Sequence, residues 1–138
     1  MADGYQDLIA WRKATDLALE IYRCTRDFPK DELYGLTSQM RRAAVSVASN
    51  IAEGKGRYSV REFVQFLYRA RGSLLELQTQ LLIARELNYL ESPTSGRIKD
   101  KADELGRILN ALITSVQRNI AQSSQEPRAK SQELRTKS

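Results

Sequence analysis

Apolar side chains along this chain recur at steps of three and four residues, and they do so in four separate runs. In the first, Leu8, Trp11, Ala14, Leu17, Ala18, Ile21 and Tyr22 return to one side of a 3.6-residue turn, which predicts a helix over 6–27 ended by Phe28-Pro29. Leu36, Met40, Ala43, Ala44, Val47 and Ile51 predict a second helix over 36–53. Gly54 is expected to take the left-handed conformation that stops it, with Gly56 reinforcing the stop. Ser59 followed by Glu62 is a capping box and starts a third helix over 60–89, with Phe63, Phe66, Leu67, Ala70, Leu74, Leu77, Leu81 and Ala84 in one stripe. After a break at Ser92-Pro93, a fourth helix over 96–122 carries Ile98, Ala102, Leu105, Ile108, Leu109, Leu112, Ile113, Val116 and Ile120. No run alternates with the period of a strand.

A chain of 138 residues has room for one ordinary domain with a sizeable core. Connections of roughly six to nine residues favour antiparallel neighbours, so residues 1–122 are expected to form an all-α, up-down-up-down four-helix bundle. Residues 123–138 hold Pro127 and two apolar side chains, Ala129 and Leu134, and are expected to be a disordered polar tail. Its mild excess of +2 suits solubility. The third helix has a second apolar row, Val64, Tyr68, Leu75 and Leu82, about 100° round from the first. One reading is a contact between copies of the chain; a wide stripe serving two neighbours within one protomer is the other.

The net charge of +5 is concentrated. Between Arg41 and Arg71 stand seven cations (Arg41, Arg42, Lys55, Arg57, Arg61, Arg69 and Arg71) against Glu53 and Glu62, a local excess that equals the whole. Elsewhere 15 basic and 15 acidic residues balance. Phosphate recognition needs little more than positive charge and exposed backbone amides, and the Lys55-Gly56-Arg57 turn beside a helix start offers both. These seven residues are therefore the candidate nucleic-acid site. The competing reading is that the arginines are solvated or paired with acids of neighbouring helices.

Other chemistry is poorly served. The chain has no histidine, which removes the usual neutral-pH base and the imidazole metal ligand. Asp31, Glu32, Glu76 and Glu86 lack the Glu-x-x-His spacing of di-iron bundles, so no metal or other cofactor is expected. A glycine-rich phosphate loop and a paired-carboxylate constellation are also missing, and the chain reads as non-enzymatic. Lone Cys24 reads as a packing residue, and with no signal-like start a cytoplasmic setting is expected. No apolar run reaches the ~18 residues of a membrane span. Trp11, Tyr22 and Phe28 have core spacing and read as packing residues. Arg42, Ser46, Ser49 and Glu53 make one polar face of the second helix, fit for solvent or an interface.

In order along the chain come Leu8-Ile9-Ala10-Trp11, Ile21-Tyr22, Phe28-Pro29, Tyr34-Gly35-Leu36, Gln39-Met40-Arg41-Arg42-Ala43-Ala44 and Asn50-Ile51-Ala52-Glu53-Gly54. Gly56-Arg57, Glu62-Phe63, Phe66-Leu67 and Ala70-Arg71-Gly72-Ser73 follow. This ordered string resembles the bacterial 23S rRNA intervening sequence family, over roughly the first two thirds of the chain and fading after about Leu90. The resemblance implies a homopentamer of four-helix bundles. The accessory protein of diversity-generating retroelements is distantly similar; that likeness implies a basic assembly that binds RNA or DNA and a reverse transcriptase. An oligomeric nucleic-acid binder is the first expectation, with Val64, Tyr68, Leu75 and Leu82 at the contact between copies. A protein-interaction adaptor that docks a partner enzyme is the alternative.

Overall fold

Local hydrogen bonds, from a side chain after the first helix and from the backbone after the second and third, mark where these helices stop. The computed structural model describes the backbone of residues 4–136 and the side chains of 5–122. It contains α1 (Gly4–Cys24), α2 (Leu36–Lys55), α3 (Val60–Glu86) and α4 (Ser92–Thr136), with no strand among the described residues. Helix α1 ends earlier than its apolar pattern predicts. The Thr25 hydroxyl donates to the Ile21 carbonyl at 2.7 Å, and the chain tightens into a 3-10 turn, Thr25–Asp27. Pro29 then prevents further helix, and a second 3-10 turn covers Lys30–Glu32. Phe28 folds onto the core with its ring 5.3 Å from that of Tyr89.

Gly54 corrects the expectation drawn from the sequence. It stays inside α2, and no glycine among the described residues has positive φ. Its role is close approach: a β-carbon there would lie 2.6 Å from Phe66 Cβ and 2.9 Å from Phe63 Cδ1. Gly56, at φ −79°, caps α2 in right-handed conformation, and its amide reaches the Ala52 carbonyl at 3.3 Å. The Ser59 hydroxyl accepts the Glu62 amide at 3.4 Å, so the expected cap does open α3. At its other end Asn88 takes φ 60°, the conformation expected of Gly54. The Tyr89 amide bonds Ala84 and that of Asn88 bonds Arg85, both at 2.9 Å, which closes a Schellman motif. The Ser92-Pro93 break proves to be a helix start, because proline in a first turn forfeits only an amide that has no helical partner. The expected polar tail, 123–138, falls outside the residues described with side chains, and the α4 backbone runs to Thr136.

Helix α1 packs against α2 and α4, and so does α3. Between them lie Leu17, Ile21, Met40, Ile51, Phe63, Leu67, Leu74, Leu77, Ile98, Leu105 and Leu109, each under 2% exposed. Burial of each such side chain contributes about 1.5–3 kcal/mol, which makes this core the dominant stabilising element. Val64, expected at a contact between copies, is buried in this core. Trp11 and Tyr22, expected inside, are exposed. Ion pairs tie α1 to α4: Lys13 meets Glu104 at 2.8 Å, and Glu20 meets Arg97 at 2.8 Å and Lys101 at 3.2 Å. No helix is long and apolar enough to cross a membrane among the described residues.

Candidate nucleic-acid interface

The structure separates the seven candidate cations into three groups. Arg41 is engaged near the start of α2. Its Nε donates to the Thr25 hydroxyl at 2.9 Å, its guanidinium lies 4.8 Å from the Tyr22 ring centre, and a terminal nitrogen reaches the Tyr22 carbonyl at 3.5 Å. That carbonyl belongs to the last turn of α1, where a cation is favourable to the helix dipole. Arg41 thus acts as a clasp between helices. Lys55 is a second clasp, because its ammonium pairs with Asp7, a buried carboxylate in the first turn of α1. The charge that the Lys55-Gly56-Arg57 turn was expected to offer is therefore partly withdrawn, by an acid from a distant part of the sequence.

Arg42 stands alone in a polar groove between α2 and α3, lined also by Gln39, Ser46, Ser73 and Glu76. There Ser46 and Ser73 hydrogen-bond at 2.8 Å, so half of the predicted polar face of α2 is a seam between helices. Asn50 extends the network by donating to the Ser46 hydroxyl oxygen at 3.0 Å.

The remaining four, Arg57, Arg61, Arg69 and Arg71, lie just before α3 and along its first half, a length of about 18 Å from Val60 to Arg71 at 1.5 Å per residue. Arg57 and Arg69 both lie over the buried Phe66 ring, at 4.8 and 4.7 Å from its centre. Arg71 lies 4.7 Å from the centre of the Tyr68 ring and donates to Asn110 of α4 at 3.2 Å. Gln117 donates to the Tyr68 hydroxyl at 2.8 Å and fixes that ring in turn. Arg61 is exposed. Among the described residues none of these four arginines forms an ion pair, and of the original seven only Lys55 does. The difference is electrostatic. A carboxylate would neutralise a guanidinium, whereas a ring face holds it in place and leaves its charge and N–H edges available.

Sequence reasoning misses the aromatic half of this surface. Periodicity assigns Phe66 to the core alone, and it gives no role to Tyr58, beside Arg57, although that ring is fully bare. A signal is present, since an aromatic interleaved with Lys55, Arg57 and Arg61 is a recognisable pattern.

Nothing else among the described residues assembles comparable chemistry. No cluster of three potential metal ligands occurs among them. Glu32 accepts from the Tyr89 hydroxyl at 3.0 Å, Glu76 from Gln80 at 3.3 Å, and Glu86 pairs with Arg85 at 2.9 Å. Burial pushes the Cys24 thiol up to about 11, which disfavours its thiolate near neutral pH. A shallow apolar groove is lined by Leu8, Trp11, Ile51 and Ala52 and edged by the Asp7–Lys55 pair.

The fold has a counterpart in the crystal structure of a protein of unknown function from the S23 ribosomal protein family of Bacteroides thetaiotaomicron. The two are 19% identical, with a TM-score of 0.73 over 79% of this chain and 98% of that one. At that identity the likeness extends to the fold alone. No curated protein is detectably similar. The model of the 23S rRNA-intervening sequence protein family matches residues 6–111, which span α1 to α3 and the first half of α4, and the chain belongs to that family.

Proposed function

We propose that this chain is a non-enzymatic, homo-oligomeric four-helix bundle that binds RNA or DNA through the basic start of α3. One observation carries the reading: Arg57, Arg61, Arg69 and Arg71 fall in the turn before α3 and in its first half, with no carboxylate partner among the described residues. Uncompensated charge of this kind attracts a polyanion and releases its counterions. Alternating helix direction is supported by pairs that run oppositely in number, such as Thr25 with Arg41 and Asp7 with Lys55, or Arg71 with Asn110 and Gln78 with Asp103. Leu75 and Leu82, 58% and 50% exposed on α3, support self-association, with five copies as the family resemblance implies. Repetition multiplies a modest patch, since later contacts form at high effective concentration.

Filter binding of RNA and DNA at low and high salt tests the proposal. In the Arg57→Glu/Arg61→Glu variant, affinity should fall, and the salt slope should flatten by roughly one for each phosphate the surface no longer neutralises. An unchanged affinity and slope in a folded variant would remove the patch as the site. Leu75→Glu/Leu82→Glu should shift the sedimenting species to a protomer. Nuclease-resistant capture of one stoichiometric protein partner, with no measurable nucleic-acid affinity, would favour an adaptor instead.

A further inference from the structure

We infer that the basic start of α3 takes single-stranded nucleic acid, and that Tyr58 is the ring on which an unpaired base stacks. The inference rests on the proposed nucleic-acid binding and narrows it. Tyr58 sits in the turn between α2 and α3, flanked by Arg57 and Arg61, and is 107% exposed relative to a reference residue. Among the described residues its ring touches no other ring or cation and its hydroxyl makes no hydrogen bond. A tyrosine so placed gains nothing from folding, because the apolar surface it carries stays in water.

Its surroundings differ from those of Tyr34, which is also bare. Tyr34, 94% exposed, stands beside Asp31 and Glu32, which repel a phosphate chain. Around Tyr58 the charge is net cationic, Arg57 and Arg61 against Glu62, and two neighbouring guanidiniums are already seated on Phe66. Phosphates need only those charges; a bare ring adds affinity only when it meets another π face. In a duplex the base faces are covered by their neighbours. In a single strand they are open, and base–aromatic stacking is tolerant of sequence. Strand contact with Arg57 and Arg61 would carry an unpaired base past Tyr58. Tyr68, held by Gln117 and covered by Arg71, is a supporting platform and not a free one.

Fluorescence anisotropy with the full chain tests this, using labelled oligo(dT) and oligo(rU), a duplex of equal length and an abasic strand of equal length. Wild type should bind the two base-bearing strands more tightly than the duplex or the abasic strand. Tyr58→Ala should weaken binding of the base-bearing strands about 5- to 150-fold, the equivalent of about 1–3 kcal/mol per stacked base. Affinity for the abasic strand and the salt slope should not move, and Tyr58→Phe should keep the wild-type preference. If Tyr58→Ala binds every probe as wild type does, charge alone holds the polymer and the stacking role is refuted while the binding proposal stands. If Tyr58→Ala changes the sedimenting mass and not the binding, the ring is a contact between copies and this inference fails. Absence of binding to any probe overturns both.

Discussion

Gly54 of α2 lies so close to Phe66 of α3 that a β-carbon there would stand 2.6 Å from the Phe66 Cβ. The same phenylalanine supports Arg57 and Arg69 on its ring, so this close helix approach and the candidate site share one side chain. Gly54→Ala would gain up to about 1 kcal/mol in helix propensity, but backbone-rooted atoms of Phe66 cannot yield cheaply. Net destabilisation of about 1–3 kcal/mol is expected in denaturant melts. If binding depends on the two arginines being seated, salt-sensitive affinity should fall at temperatures where the variant is still folded. A variant as stable as wild type would show that α2 and α3 can separate freely.

Lys55 and Asp7 form a second close relationship, and here the two partners are unequal. Asp7 is buried whereas the Lys55 side chain is 39% exposed. Removing the lysine leaves a buried carboxylate without its cation; removing the charge on the acid leaves an ammonium that can turn to solvent. Lys55→Met should therefore cost about 1–3 kcal/mol, discounted from a fully buried pair because the lysine is partly solvated. Asp7→Asn should cost less, and the double variant should recover part of the loss. Additive losses in the double-mutant cycle would show that the two side chains do not interact.

Glu20 sets a pH dependence. Its carboxyl is held below the usual range, first by the hydrogen bond to Arg97 and then by Lys101, with burial opposing. A carboxylate depressed in the folded state stabilises above its unfolded value of 4.5 and loses that contribution as pH falls through the folded value. Asp103, lowered by Lys99, and Glu104, lowered by Lys13, act in the same direction. Thermal melts should thus drop as pH falls below about 4.5, and Glu20→Gln should flatten the drop. A melting temperature independent of pH across that range in wild type would exclude the α1–α4 ion pairs as contributors.

The helical pattern was legible because Leu17, Met40, Leu67 and Leu105 repeat at the period of the secondary structure they form, and each is buried as that period requires. Helix ends were less so. Gly54 and Asn88 exchanged expected roles, since a sequence shows that glycine is permissive but not whether a neighbouring helix presses on it. Val64 reads as surplus on a wheel and is core in the protein, because α3 is covered by both α2 and α4. For the candidate site, the local charge excess was readable while its partition was not. Asp7 lies 48 positions before Lys55, and Thr25 lies 16 before Arg41, so the contacts that withdraw those cations depend on the assembled fold. Of the four arginines left over, Arg57, Arg69 and Arg71 rest on rings close in sequence, and Arg61 is exposed.

Gln80 provides the last expectation. It is 5% exposed on α3, its amide nitrogen donates to Glu76 at 3.3 Å, and its Oε1 is buried without a hydrogen-bond partner among the described residues. An unsatisfied buried acceptor carries a desolvation cost of about 1–3 kcal/mol, so replacing it by a similar apolar shape removes a penalty and sacrifices one weak bond. Gln80→Met should be neutral or stabilising by about 1 kcal/mol, while Gln80→Glu, which brings a charge to the same position beside Glu76, should destabilise and do so more at neutral than at acid pH. Chemical denaturation of both variants at two pH values checks the sign. Loss of stability in Gln80→Met comparable to that in Gln80→Glu would mean that Oε1 is satisfied, and that α3 and its neighbours hold a polar contact at this depth.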